Sequence, residues 1–135
     1  MKSKLDFPAF TISLIEKGIV QIDFKKIKEM TIENVEQLYG AIAEIGNAKK
    51  VYILTTFQAY IPMNKEVMAH SMKKEFQDRI LASASVFRST ALRVAVKFFW
   101  TFHKPKQPRQ IFESRESALQ WLREIKQEEK NLVLV

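Results

Sequence analysis

Segments typical of β-strands alternate with segments typical of helices along almost the whole chain, and this order restricts the possible folds more than any other feature. Two apolar, β-branched runs come first, Phe10–Glu16 and Ile19–Phe24, and the Lys17-Gly18 pair between them is a turn signal. The two runs therefore predict a β-hairpin. Three further strands are predicted at residues 51–56, 80–87 and 110–112.

Helical periodicity fills the intervals between these strands. Apolar residues at spacings of three and four predict helices over residues 32–45, 65–76 and 115–129, with Thr31, Asn64 and Ser114 as their N-caps. A further helix starts after Ser89 or Thr90 and ends near residues 103–105. The order predicts the α/β class: a single-domain sandwich with an opening β-hairpin, a mixed, mostly parallel sheet of about five strands, and four helices.

The length and composition fit one domain over residues 1–135. The chain has 135 residues, of which 47% are hydrophobic, so it can bury a core. It has no cysteine, which excludes a disulfide framework and a cysteine-based zinc site, and which favours a cytoplasmic location. The apolar tail at 131–135 has three possible roles: packing on the body, an added edge strand, or a contact with a neighbouring subunit.

No signal peptide or membrane-spanning segment is expected. Asp6 and Pro8 interrupt any apolar run near the N-terminus. The longest apolar-rich run, residues 91–102, contains Arg93 and Lys97, and it is shorter than the roughly 20 residues that a membrane span requires.

A gap in the acidic residues is the main clue to function. Between Arg79 and Phe112 there is no Asp or Glu, and the seven basic residues of this stretch account for the whole formal net charge of +7. The same stretch contains the helix predicted near residue 90, which is apolar around most of its circumference. We therefore expect this helix and the loop behind it to form a partner or anion surface. Its candidate residues are Arg93, Lys97, Phe99, Trp100, Lys104, Lys106 and Arg109.

Each half of this surface has two interpretations. The aromatic side either packs against the sheet and its neighbouring helices or forms a dimer or partner interface near Phe99 and Trp100. The basic stripe is either a solvated face or a site for an anionic ligand or lipid headgroup. Nucleic acid is not expected, because no known nucleic-acid-binding motif is present.

Catalytic chemistry has little support in the sequence. Glu66 and His70 are four residues apart on one predicted helix, which indicates a surface ion pair, and Ser71 points away from His70 because adjacent helical residues diverge by about 100°. His103 is interpreted as a histidine at a helix C-terminus. Three glycines in the whole chain cannot build a phosphate-binding loop, and no carboxylates lie at metal-binding spacing. No catalytic residue, metal or other cofactor is therefore predicted.

Several short phrases carry a family resemblance. They are GIVQIDF at 18–24, RVAVKFF at 93–99, KPKQP at 104–108, IF at 111–112 and ALQWL at 118–122. In this order they resemble the small bacterial SpoIIAA-like, STAS-type proteins, often described as the STAS/SEC14 domain family of unknown function. The resemblance extends from about residue 10 to residue 125.

The resemblance implies a STAS-like fold and a regulatory role. In the related anti-sigma-factor antagonists, a phosphorylated serine at the start of the second main helix controls partner binding. The matching segment here, residues 61–66, has no Ser or Thr, so no phosphorylation site is carried over.

We therefore expect a non-enzymatic regulatory or scaffolding module that acts through protein–protein contact and forms a homodimer. The alternative is a binder of an anionic ligand or lipid headgroup through the basic stripe.

Overall fold

The computed structural model describes residues 3–102 and 106–134, and this part of the chain forms one six-stranded sheet whose strands lie side by side in sequence order. The first three strands pair antiparallel, and each later strand pairs parallel with its predecessor. The strands are β1 (Lys4–Asp6), β2 (Phe10–Glu16), β3 (Ile19–Phe24), β4 (Val51–Phe57), β5 (Ile80–Val86) and β6 (Arg109–Phe112).

Five helices connect or follow the parallel strands in the described part of the chain. They are α1 (Ile32–Ile45), α2 (Lys65–Ser71), α3 (Lys74–Gln77), α4 (Thr90–Phe102) and α5 (Arg115–Leu134). The predicted α/β architecture is confirmed, including the opening hairpin, which is β2 and β3 with Gly18 at φ 81° in the turn. The predicted cap of α1 is also confirmed, because Thr31 and Asn34 bond each other's backbone N–H groups in a capping box.

Three predictions about individual elements are corrected. The strand β1 was not predicted, because three residues carry too little periodicity to be recognised. The helix predicted over 65–76 is two short helices, since Lys73 leaves the helical conformation at φ −58° and ψ 143°. The apolar tail adds no edge strand, because residues 131–134 continue α5.

Two apolar layers cover the two faces of the sheet. The first lies under α1, α2 and α3, and its fully buried side chains include Phe10, Ile12 and Val20. The second lies under α5, where Ala82 and Ala84 of β5 leave room for the helix to approach the sheet. Small side chains on a central strand therefore bring α5 close, as expected for a sheet interior.

None of the described side chains of α4 belongs to either buried core. Its Leu92, Val96 and Trp100 are only half-buried, whereas Val94 and Phe98 are 63% and 67% exposed. The sheet surface that α4 faces contains polar side chains instead of an apolar layer, as described below. The position of α4 therefore leaves a groove between this helix and the sheet.

Candidate functional site

The groove lies at the carboxyl ends of the parallel strands. It has a volume of about 1010 Å³ and is lined by the ends of β3, β4 and β5, by the loop after β4, and by α4. The α4 residues that line the groove include Leu92, Val96 and Trp100. The carboxyl ends of parallel strands are where α/β proteins most often bind ligands, so this groove is the candidate site.

The floor of the groove is polar because of the register of the parallel strands. Thr55 of β4 is paired with Ser85 of β5, and Ser83 of β5 is paired with Arg109 of β6. Paired residues share a face, and so do residues two apart on one strand, so these four side chains share one face of the sheet. Thr55, Ser83 and Ser85 make no side-chain hydrogen bond with any other residue that the structure describes. Their hydroxyl groups are therefore available to a ligand or to water.

Arg109 is the charged group of this floor. Its Nη2 donates to Oε1 of Gln77 at 3.0 Å, and its guanidinium lies 5.4 Å from the centre of the Trp100 ring. Its Nε is buried without a hydrogen-bond partner. Among the described residues, no carboxylate oxygen lies within 4.0 Å of the guanidinium nitrogens. Burial lowers the pKa of Arg109, because desolvation disfavours the charged form.

A second, inner cavity adjoins the groove at Arg109. It has a volume of about 200 Å³ and lies between the sheet and the helices α1, α2 and α3. Its walls are mainly apolar and include Ile42, Ile53 and Phe76. Thr55 and Arg109 line both spaces, so the buried cation stands where the apolar cavity meets the open groove.

The sequence-predicted surface residues do not form one surface. Arg93 forms an ion pair with Glu113 at 2.9 Å and donates to the backbone carbonyl of Phe87, so it holds the start of α4 against neighbouring segments. Lys97 and Lys106 are exposed. Arg109 lies apart from these two lysines, because its pairing with Ser83 places it on the face of the sheet that lines the groove.

The two aromatic residues of the predicted surface, Phe99 and Trp100, have different outcomes. Trp100 is half-buried and lines the groove, where its ring contacts the guanidinium of Arg109. The side chain of Phe99 and the whole of Lys104 lie outside the described residues. Val94 and Phe98, which were not chosen from the sequence, are the large apolar side chains that α4 exposes to solvent among those that the structure describes.

The predicted ion pair between Glu66 and His70 is wrong. His70 instead contacts Oε1 of Glu36 on α1 at 2.5 Å, and its ring also packs at a tilt on Phe76. The partner lies on another helix, which periodicity within α2 cannot reveal. Ser71 donates to the carbonyl of Met68 and does not bond to His70. His103 lies outside the described residues.

The helix α2 begins at a capped N-terminus. The Asn64 side chain accepts a hydrogen bond from the backbone N–H of Val67 at 2.9 Å, as the sequence predicts. Asn64 is therefore the N-cap of α2.

The floor residues Thr55, Ser83 and Ser85 were missed in the sequence. The signal that could have identified them is the alternation Ala-Ser-Ala-Ser at 82–85, which places small apolar residues on one face and hydroxyls on the other. Within 3–102 and 106–134 there is no cluster of three or more His, Asp or Glu residues that could hold a metal ion. The helices in these ranges are all too short or too polar to cross a membrane.

Removing the charge of Arg109 is expected to stabilise the unliganded protein. The variant Arg109→Met loses one hydrogen bond and the contact with Trp100, but it also removes a partly buried cation that no described carboxylate neutralises. We expect the free energy of unfolding to rise by about 1 kcal/mol, because desolvating an unpaired charge costs more than these contacts return. Urea unfolding measures this change, and Arg123→Met on α5, whose side chain is exposed, is the matched control. A fall in stability for Arg109→Met alone would mean that Arg109 is a structural residue.

Comparisons with known proteins agree on the fold and are silent on activity. The sequence profile of the family described as "Domain of unknown function (DUF7793)" matches residues 13–126. An uncharacterised protein of the DUF3478 family from Shewanella loihica PV-4, whose crystal structure has a SpoIIAA-like fold, superposes with a TM-score of 0.60. The two chains are 17% identical, and the match covers 90% of this chain and 98% of that one. No curated protein matches the sequence. The predicted SpoIIAA-like fold is confirmed, and the chain belongs to the DUF7793 family of domains of unknown function.

Proposed function

We propose that this protein is a non-enzymatic regulatory or scaffolding module of the cytoplasm that acts through protein–protein contact. The observation that carries the proposal is the outer face of α4, where Val94 and Phe98 lie one helical turn apart and are mostly exposed. Ala91 extends this face and is also exposed. Contiguous apolar surface on a helix whose described side chains belong to neither core is typical of an interaction site.

A second copy of the chain is the partner that suits this face. Two copies of α4 that cross antiparallel about a two-fold axis would each bury the same residues of the other copy, which is the geometry of most homodimers. Lys97 lies about 60° around the helix from Val94 and about 100° from Phe98, so it borders the contact and does not lie at its centre. The basic group can stay in water at the edge of the interface.

The experiment is light scattering on a size-exclusion column at low and high salt. We expect a dimer at both salt concentrations, because an apolar contact is weakly screened. The double variant Val94→Asp with Phe98→Asp is expected to be monomeric, since two carboxylates cannot be buried in the contact.

The control is Ile32→Asp, which places the same charge on a partly exposed apolar residue of α1 and should leave the dimer intact. A wild-type protein that is monomeric at both salt concentrations would overturn self-association. So would a double variant that still elutes as a dimer.

The second candidate function is binding of an anionic ligand, and Arg109 favours it. The stripe on α4 no longer supports this candidate by itself, because Arg93 is neutralised by Glu113. The inward-facing cation beside an apolar cavity is a more specific feature.

A further inference from the structure

We infer that the groove and the inner cavity together bind an amphipathic small-molecule anion, with its acidic group on Arg109 and its apolar body in the cavity. This inference goes beyond the proposed contact surface and uses different residues. It rests on the charge of the floor, on the apolar walls behind it, and on the position of Arg109 between them.

The positive charge of Arg109 on the floor indicates that the ligand is an anion. Arg109 is partly buried, with its Nε fully buried, and proteins usually pair such a group with a carboxylate or use it. Nε and Nη1 of Arg109 make no hydrogen bond with a described residue, so two donors of the guanidinium remain for a ligand. Arg presents its donors in a planar fork that matches the two oxygens of a carboxylate or a phosphate.

The hydroxyl groups of the floor complete the acidic subsite. Ser83 is the strand partner of Arg109, and Ser85 lies two residues further along the same face, opposite Thr55. All three hydroxyls are without a side-chain partner among the described residues, and all three residues line the groove. They can donate to the oxygens of an anion that Arg109 holds.

A purely structural role explains Arg109 less well. Its one hydrogen bond is to Oε1 of Gln77, and that oxygen already accepts a bond from Nε2 of Gln107 at 2.6 Å. The side chain of Gln77 would therefore stay bonded without Arg109. The arginine is not required to satisfy any other buried acceptor in the described structure.

The apolar walls indicate the rest of the ligand. The inner cavity is lined by aliphatic and aromatic side chains of α1, α3 and the sheet, together with Met30, Met63 and Met72. Methionine side chains adapt to ligands of varied shape, because they have three rotatable bonds. An apolar body that enters past Arg109 would replace empty space with van der Waals contacts. The ligand class is therefore an acid with a hydrocarbon body, as a free fatty acid or as an alkyl phosphate.

The helix α4 covers this site from the solvent side. Leu92, Val96 and Trp100 line the groove from above, and Trp100 also contacts the guanidinium. The outer face of the same helix carries the proposed protein contact, but Val94 and Phe98 do not line the groove. The two sites can therefore be tested separately.

Isothermal titration calorimetry with decanoate, decyl phosphate and decanol tests the inference. We expect both anions to bind the wild-type protein and decanol to bind roughly tenfold more weakly or not at all, because only the anions satisfy Arg109. The ratio between decanoate and decyl phosphate distinguishes a carboxylate from a phosphate as the preferred group. Equal binding of decanol and decanoate, or no binding of either anion, would overturn the inference.

Variants locate the site. Arg109→Gln should weaken decanoate binding roughly tenfold or more, whereas Arg123→Gln, an exposed arginine of α5, should not change it. Ser83→Ala is a milder change on the same floor, and it should weaken binding by roughly threefold even if Arg109→Gln fails to fold. Unchanged decanoate affinity in the Arg109 or the Ser83 variant would place the anion elsewhere.

The double variant Val94→Asp with Phe98→Asp separates the inference from the proposed function. It should bind decanoate as the wild type does, although it no longer forms a dimer. Loss of decanoate binding in this variant would mean that the groove is not an independent site.

Discussion

Replacing Leu122 with alanine is expected to lower the free energy of unfolding by about 3 kcal/mol. Leu122 is 0% exposed, and it packs with Leu54, Ala82 and Ala84 in the layer between α5 and the sheet. The neighbouring alanines are small and lie on β5, which is paired on both sides, so they cannot move to fill the space that the leucine leaves. The variant therefore combines lost burial with a persistent cavity.

The matched control lies on the same helix. Leu132 is 75% exposed near the end of α5, so Leu132→Ala should change stability by less than about 0.5 kcal/mol. Urea unfolding followed by circular dichroism measures both variants, with the midpoint and the slope fitted separately. Equal and small effects of the two substitutions would contradict the placement of α5 against the sheet.

Replacing Gly46 with alanine is expected to destabilise the fold by roughly 2 kcal/mol. A β-carbon at this position would lie 2.8 Å from Cγ1 of Val51, 3.0 Å from the carbonyl oxygen of Ile42 and 3.1 Å from that of Lys49. Two of these neighbours are backbone atoms, and the valine side chain is fully buried, so none can yield without disturbing the connection between α1 and β4. The cause is steric, because Gly46 itself has φ −84°, which any residue can adopt.

Replacing Gly40, which lies within α1, with alanine is expected to have the opposite effect on stability. A β-carbon there would meet no atom within 4 Å, so Gly40→Ala should stabilise the protein by about 1 kcal/mol through higher helix propensity. Thermal unfolding of the two variants should therefore shift in opposite directions. If both variants raised the unfolding temperature, the close contacts at Gly46 would be relieved at little cost.

The proposed protein contact and the inferred ligand site share α4 but use opposite sides of it. A ligand that fills the groove would support the inner side of α4, whereas Val94 and Phe98 on the outer side do not line the groove. Because the two sites are independent, decanoate is expected to leave the monomer–dimer equilibrium unchanged, which light scattering with and without decanoate measures.

The sequence determined the elements that depend on local patterns. Alternating apolar residues and the Lys17-Gly18 turn were sufficient for the hairpin, and spacings of three and four were sufficient for α1 and α5. Thr31 and Asn64 were recognised as caps because a cap is a contact between residues three apart in the sequence. Such signals do not depend on the rest of the fold.

The predictions that failed concern features with weak signals in the local sequence. β1 has three residues and is held by its pairing with β2, so only the assembled sheet reveals it. The interruption at Lys73 divides a pattern that remains compatible with one continuous helix. His70 reaches Glu36 across 34 residues, and helical spacing within α2 pointed to Glu66 instead.

Only the tertiary structure decided the site. Arg109 was recognised as basic, but its direction follows from the parallel register of β5 and β6, which pairs it with Ser83 across 26 positions of sequence. The division of α4 into a groove side and an outer side follows from the polar floor beneath it, which offers no apolar layer for the whole helix to pack on. Charge and periodicity are properties of a segment, whereas burial of a charge is a property of what the fold places around it.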